Sequence, residues 1–243
     1  MIMQLSDLIS QSKNLSWQQQ LIEMAQKYKV IFSTSFSIED QVILDFIVTN
    51  NLPITIFTLD TGRLPNETYE VWQASLVKYQ QQKLEILAYY PDADEISQFV
   101  VANGINSFYN SKELRLKCCE IRKVRPLRKA LNGYEMWISG IRKDHSIDRS
   151  DKEFFEYDQN LAITKFYPLL EMSEDEVWEI IKKNSIPYNK LYDQSYRSIG
   201  CAPCSRAILP DENIRAGRWW WEEEIGKECG LHMVDGKLVR IKN

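Results

Sequence analysis

A chain of 243 residues that is 44% hydrophobic suffices for one sizeable core, and two full domains would be a tight fit. Its net charge of −4, with 30 basic against 34 acidic residues, excludes a global attraction to nucleic acid or anionic lipid and leaves any cationic site to local clustering. The start, Met1 to Asp7, has no basic leader, apolar run or cleavage site, and no later stretch is apolar for long enough to cross a bilayer, so a cytoplasmic protein without nucleic-acid or membrane partners is expected.

Residues 1–29 are polar and glutamine-rich, with Leu5, Leu8, Ile9, Trp17, Leu21 and Ile22 at helical intervals. They predict an N-terminal helical segment that covers the sheet. Val30 to Ser35 predicts a buried strand opening into a serine-rich turn, and Glu39 to Ile47 the helix that follows. Ile54 to Leu59 predicts a second strand, Asp60-Thr61-Gly62 its loop, and Glu67 to Tyr79 a helix with Tyr69, Trp72, Leu76 and Tyr79 on one face. Leu84 to Tyr89 predicts a third strand, a capped helix over about 92–102 follows, and Glu135 to Gly140 predicts a fourth strand ending at a glycine. Such alternation implies an α/β fold with a doubly wound, mostly parallel sheet, whose ligands bind beyond the carboxyl ends of the strands. From Glu153 the alternation weakens: Ile163 to Leu170 reads as one more strand, and Ser173 to Glu176 caps a helix over 177–184. A tail over 211–243 is expected to lie on a nucleotide-binding domain over 30–210.

Three predicted strand ends carry groups suited to an anionic nucleotide. Ser33, Thr34 and Ser35 offer hydroxyls and backbone N–H groups at a helix start, where the dipole favours phosphate. The loop lacks the Gly-Lys-Ser of a Walker loop and the glycines of a dinucleotide fingerprint, and alone it reads equally well as a helix cap. Asp60, Thr61 and Gly62 follow the second strand, and Gly140, Arg142 and Arg149 follow the fourth. Glycine admits a close backbone approach, and the arginine fork pairs with phosphate or sulfate oxygens in two places. The bland reading of these loops is a turn and a solvated charged segment.

The five cysteines are an odd number with two adjacent, which in a reducing compartment argues for metal binding or redox catalysis over structural disulfides. Cys118 and Cys119, expected near a helix start, precede Arg122 and Lys123; Cys201 and Cys204 are separated by Ala202 and Pro203; Cys229 stands apart. Zinc ligand pairs usually have two to four residues between them, and only the second pair meets that spacing. Adjacent side chains diverge and crowd one tetrahedral ion, whereas an iron–sulfur cluster offers separate irons to separate thiolates. Zinc and a vicinal disulfide remain the alternatives.

Together with Arg215-x-x-Arg218-Trp219-Trp220-Trp221-Glu222 and Glu228-Cys229-Gly230-Leu231-His232, these pairs resemble the assimilatory adenylyl-sulfate reductases, cluster-bearing relatives of the phosphoadenylyl-sulfate reductases. The resemblance runs in order over about 30–232 and includes a modified pyrophosphatase-type loop at Ser33 and the Leu59-Asp60-Thr61-Gly62 segment. It implies a fold of the adenine nucleotide alpha-hydrolase (PP-loop pyrophosphatase) type. It also implies one 4Fe-4S cluster on Cys118, Cys119, Cys201 and Cys204, of structural or electrostatic use. Cys229 then attacks the sulfur of adenosine 5′-phosphosulfate, AMP leaves, and thioredoxin or glutaredoxin releases sulfite from a Cys229 S-sulfonate.

The same resemblance places Lys123 between cluster and substrate, and Arg149, Arg215, Arg218 and His232 around the phosphosulfate and the nucleophile. It further suggests a homo-oligomer. One segment departs from the family pattern: relatives commonly carry a second arginine after the one matched by Arg142, where this chain has Lys143-Asp144-His145, and lysine lacks the bidentate fork. The Trp219-Trp220-Trp221 run reads as a tail anchor in preference to a stacking platform for a partner. The competing readings are a reductase acting on 3′-phosphoadenylyl sulfate, an ATP pyrophosphatase-type adenylating enzyme, and a zinc-stabilised binding protein.

Overall fold

A computed structural model describes residues 8–9, 14–145 and 152–222. The chain divides into two compact units, one of Met1–Thr58, Asn66–Leu87 and Gly133–Lys190, the other of Leu59–Pro65, Ala88–Asn132 and Leu191–Asn243. The described strands are β1 (Val30–Ser33), β2 (Thr55–Leu59), β3 (Leu87–Tyr89), β4 (Met136–Ile138), β5 (Phe155–Asp158) and β6 (Ile163–Phe166), in one sheet of order β3-β2-β1-β4-β6-β5. β1 pairs in parallel with β2 and with β4, β4 in parallel with β6, and β5 runs antiparallel to β6. The fold is α/β with a mostly parallel sheet, as predicted. Its strand order reverses at β1, so the crevice expected of an open parallel sheet lies where the chain leaves β1 and β4.

In the first unit, Val30, Ile31 and Phe32 of β1 and Met136, Trp137 and Ile138 of β4 are all buried, the unbroken apolar run of central parallel strands. Helix α1 (Trp17–Lys27) starts at Ser16 through a capping box: the Ser16 hydroxyl accepts the Gln19 N–H and the Gln19 side chain accepts the Ser16 N–H. Helix α2 (Ile38–Thr49) follows β1 and is buried on almost every side. A helix buried all round must pair its polar side chains internally. Gln41 Nε2 donates to Ser75 Oγ and to Pro187 O, at 2.9 and 2.8 Å. Asp45 accepts from Tyr79 Oη at 2.7 Å and from Asn184 Nδ2 at 3.2 Å.

Two strands differ from the expectation. β3 begins at Leu87 because Lys83 turns the chain at φ 54° and the Leu84 N–H donates to Tyr79 O, which keeps residues 84–86 off the sheet. β5 forms where the sequence pattern weakens: the Asp158 carboxylate accepts the N–H groups of Asn160 and Leu161, closing a turn that returns the chain along β6. Pro168 lies just beyond β6 and cannot donate to a ladder, so the strand is shorter than predicted. Helices α3 (Asn66–Lys78), α4 (Ala93–Asn103), α6 (Arg125–Leu131) and α7 (Glu174–Lys183) form, the second capped by Asp92 and the last by the Ser173–Glu176 capping box. Helix α5 (Lys112–Cys119) starts at the Ser111 cap and runs into a π-helical turn over Glu120–Val124.

The loop after β4 is tied to α2 by a buried ion pair. Arg142 Nε donates to Glu39 Oε1 at 2.8 Å with both side chains sealed from solvent. Removing one partner of such a pair leaves an uncompensated buried charge. Glu39→Ala is therefore expected to destabilise the fold by about 3 kcal/mol, the lower end for a broken buried pair, because Asp144 and Glu174 still face Arg142. Denaturant unfolding measures the loss, and a change below about 1 kcal/mol would show that the pair does not hold the loop.

Candidate functional site

In the first unit the loops after β1 and β4 meet on one carboxylate. Asp40, in the first turn of α2, accepts the Ser35 N–H and the Ser35 hydroxyl on Oδ2, both at 2.7 Å, and the Gly140 N–H on Oδ1 at 3.1 Å. Gly140 is required here, since a β-carbon would collide with Asp40 Oδ1 and Glu39 Cβ. Burial is the main influence on Asp40 and pushes its pKa up to about 6 from 3.8, against the lowering effect of the Ser35 donors; Glu39 beside it adds a smaller rise.

The three predicted hydroxyls all bond to partners within the protein. Ser33 Oγ accepts from Trp137 Nε1 at 2.8 Å, Thr34 Oγ1 accepts the Phe36 N–H at 3.0 Å, and Ser35 Oγ donates to Asp40. They shape the loop, which holds Phe36 at φ 60° with its ring stacked on Trp72. Ser37 caps α2 by accepting the Asp40 N–H at 3.2 Å. What the loop presents to an anion is its backbone and the positive end of α2.

The Arg142 fork, which the sequence suggested for phosphate or sulfate oxygens, is engaged by the protein's own acceptors. Arg142 is fully buried, and its guanidinium donates to Glu39, to Asp144, to Glu174 at 3.5 Å and to Met172 O at 3.3 Å. Carboxylates outnumber the cation, so they hold it in place and raise its pKa despite burial. Lys143 makes an ion pair with Glu171 at 3.3 Å. Arg149, Cys229 and His232 lie outside the described residues.

The second unit assembles the cysteines. Asp60 is buried, and its Oδ1 accepts the Gly62 N–H at 2.8 Å in a turn that places Gly62 at φ 68°. Thr61 connects this turn to the second cysteine pair: its Oγ1 lies 3.3 Å from Cys201 Sγ, and its carbonyl accepts from Arg122 Nη1 at 2.6 Å. Arg63, two residues on, accepts the Ala202 N–H on its carbonyl and spans to Ile105 O and Asn106 Oδ1. Cys118 and Cys119 end a helix where the sequence suggested a start, because Ser111 caps α5 well upstream. The π turn that follows inserts extra backbone, a distortion frequent at functional sites, and from it Arg122 points inward and is buried.

Cys118, Cys119, Cys201 and Cys204 are all buried and free of disulfides. Cys118, Cys201 and Cys204 pack in one cluster with Phe99, Phe108, Ile121 and Trp219. Burial raises the Cys118 thiol against the lowering effect of Arg122, and pushes Cys204 up to about 12, with Cys201 adding to the rise and Arg218 and Lys123 opposing it. Among the described residues no three His, Cys, Asp or Glu side chains are grouped as ligands of a single ion. The surroundings are rich in donors and poor in acceptors: Nε of Arg122, Nε of Arg218 and Nε1 of Trp219 are buried without an acceptor among the described residues.

The start of the tail is part of this unit. Arg218 and Ser205 form an antiparallel bridge, the Arg206 N–H donates to Gly217 O, and the Trp219 N–H donates to Cys204 O at 3.3 Å. Arg218 is buried and fills the space above Gly200, where a β-carbon would overlap its guanidinium. Arg215 is half-buried and turns on Asn213, whose Oδ1 accepts its N–H at 2.9 Å. Trp219 is buried, Trp221 packs on the cysteine cluster, and Trp220 remains 39% exposed.

The matched family model is the phosphoadenosine phosphosulfate reductase domain, over residues 29–207. The chain belongs to this family. Curated relatives named adenosine 5′-phosphosulfate reductase include that of Allochromatium vinosum, 45% identical over 84% of this chain and 78% of its own length. The Burkholderia cepacia protein of the same name is 42% identical over 85% of this chain and 81% of its own. The crystal structure of phosphoadenylyl-sulfate (PAPS) reductase from Candida auris in a phosphate complex superposes with a TM-score of 0.72 at 24% identity, covering 86% of this chain and 99% of that one. A Candida glabrata FMN adenylyltransferase in complex with FAD and pyrophosphate shares the fold at a TM-score of 0.54 and 15% identity, covering 91% of this chain and 76% of its own. The family region takes in both cysteine pairs and both strand-end loops, and stops short of the tail arginines and Cys229.

In the sequence Arg122 stands out only as part of a motif, and Asp40, Arg63, Arg115 and Gly200 belong to none. Asp40 carried a usable signal, an acidic residue in the first turn after a hydroxyl-rich loop; the arginines and Gly200 carried none, since only the fold brings them to the cysteines.

Two outcomes test this geometry. Because the folded-state pKa of Asp40 is raised from 3.8 to about 6, its contribution to stability is fully present below the lower value and lost as pH rises through the upper one. At about 1.4 kcal/mol per unit the ceiling is about 3 kcal/mol, and Asp40→Asn is expected to flatten that decline in unfolding measurements across the interval; an unchanged slope would remove Asp40 as its source. Gly200→Ala forces the Arg218 guanidinium aside, with an expected loss of about 1–3 kcal/mol in denaturant unfolding, and a variant as stable as the parent would show that Arg218 can repack freely.

Proposed function

We propose that this protein reduces adenosine 5′-phosphosulfate to sulfite and AMP in assimilatory sulfate reduction. The observation that carries the reading is the shared identity with proteins named adenosine 5′-phosphosulfate reductase over 84% of the chain, together with two buried cysteine pairs and a further cysteine at 229. In this reading the Cys229 thiolate attacks the substrate sulfur; the S–O bond to the phosphate breaks and AMP leaves with that electron pair. Thioredoxin or glutaredoxin then supplies a thiolate that attacks Cys229 Sγ, expelling sulfite and forming a mixed disulfide. Its second thiol resolves that disulfide, so the external dithiol gives up two electrons and Cys229 is regenerated.

The positive end of α2, beside the loop after β1, would face the nucleotide's anion, since the Ser35 and Gly140 N–H groups are already held by Asp40. Lys123, Arg149, Arg215, Arg218 and His232 would neutralise the crowded anions, which must be stabilised as the phosphate leaves. Cys118, Cys119, Cys201 and Cys204 would hold a 4Fe-4S cluster. What supports that assignment is the chemistry of the surroundings: buried Arg122 and Arg218 with unfilled donors, beside the Cys118 and Cys204 thiols that burial raises most, suit an anionic acceptor. When bound, the cluster would supply fixed charge and a cross-link between the two cysteine segments. A homo-oligomer fits the same family reading.

Anaerobically purified protein is expected to contain iron and acid-labile sulfide, and Cys229→Ser to abolish sulfite release while keeping that content. Retained turnover in Cys229→Ser would sink the mechanism. Comparing kcat/KM on adenosine 5′-phosphosulfate and on its 3′-phosphorylated form assigns the nucleotide, with the unphosphorylated one expected to be preferred.

A further inference from the structure

The π turn and the cysteines do not account for Arg115. It lies one helical turn before Cys118 on α5, is fully buried, and donates through Nε and Nη2 to both oxygens of Glu222, at 2.8 and 2.7 Å. Its guanidinium also lies 4.6 Å from the centre of the Trp219 ring, and that of Arg218 lies 4.7 Å from the same ring. Both guanidiniums are thus within cation–π range of the same side chain. The Trp219 N–H reaches Cys204 O, the Glu222 N–H reaches Trp219 O at 2.8 Å, and Glu222 closes the circuit back to α5. Trp219 keeps a φ of 43° within this circuit, a conformation that persists only where its surroundings over-determine it.

A bidentate arginine–carboxylate pair specifies direction as well as distance. Glu222 stands seven residues before Cys229, a span of at most about 25 Å of extended chain. We infer that Arg115 and Glu222 are positioning residues for the reaction of Cys229: they fix the place of Glu222 itself, the residue that precedes Cys229 by seven positions. The inference rests on the proposed nucleophilic role of Cys229. It assigns to the clasp a kinetic duty, distinct from binding the nucleotide or holding a cluster.

The test is single-turnover formation of the Cys229 S-sulfonate, followed by mass spectrometry on full-length anaerobic protein, with nucleotide affinity, iron content and unfolding midpoint measured on the same samples. Glu222→Gln keeps the shape and removes the charge; Arg115→Lys keeps the charge and removes the fork. Both are expected to slow S-sulfonate formation at saturating substrate by about 10- to 100-fold, the scale of a misplaced reacting group, with nucleotide affinity and iron content within about twofold of the parent. If Glu222→Gln reacts at the parental rate, the clasp has no positioning role. A slowed reaction that merely tracks lost iron or lost affinity also overturns it, as a purely structural effect. A parent that never carries the S-sulfonate overturns the mechanism itself, and the clasp with it.

Discussion

Burying an arginine obliges a protein to supply an anion, and this chain buries Arg115, Arg122, Arg142 and Arg218. The desolvation cost of such a group is several kcal/mol unless charge and hydrogen bonds return it. Two of them are answered by carboxylates within their own unit, Arg142 by Glu39, Asp144 and Glu174, and Arg115 by Glu222. Arg122 and Arg218 make no ion pair with a carboxylate among the described residues; Arg122 gives Nη1 to Thr61 O, and both keep an unfilled Nε beside the thiols. The neutralised arginines hold loops in place. The two beside the cysteines would be answered by the anions of the proposed function.

Asp40 presents the same problem with the sign reversed. Its carboxylate is buried, and the donors from Ser35 and Gly140 offset only part of the desolvation, which is why its pKa stays raised. The site therefore gives up some stability at neutral pH to keep an ionised acceptor between two strand-end loops. Placing that charge where the strand order reverses lets a single side chain set the geometry of both loops that border the crevice.

The alternation of strands and helices was legible because central parallel strands are continuously apolar and their helices carry caps; Ser37, Asp92 and Ser173 each cap a helix close to where the sequence placed it. β5 was not legible, since the run Phe155 to Asp158 is only four residues long and owes its pairing to a turn made by the Asp158 side chain. Cys118 and Cys119 were found as a pair but expected near a helix start, whereas Ser111 had already supplied the cap and the pair ends the helix. Arg142 shows the limit most clearly. Residue type suggested an anion-binding fork, and only the burial of α2 reveals that Glu39 faces it first.

The tryptophan run shows why tail anchoring and site construction are one problem in this chain. Trp219 fills the cysteine cluster, Trp221 packs against Phe108 and Tyr109, and Trp220 keeps partial exposure. An apolar anchor alone would leave the direction of the following chain undetermined, because dispersion and burial are not directional. Direction comes from the polar contacts around the indole: the Trp219 N–H on Cys204 O, the Arg218–Ser205 bridge and the two-pronged Arg115–Glu222 pair. The bridge and the Cys204 carbonyl lie within or beside the second cysteine pair, and Arg115 lies one turn from the first. The cysteine pairs and Glu222 are thus joined through covalent and hydrogen-bonded neighbours.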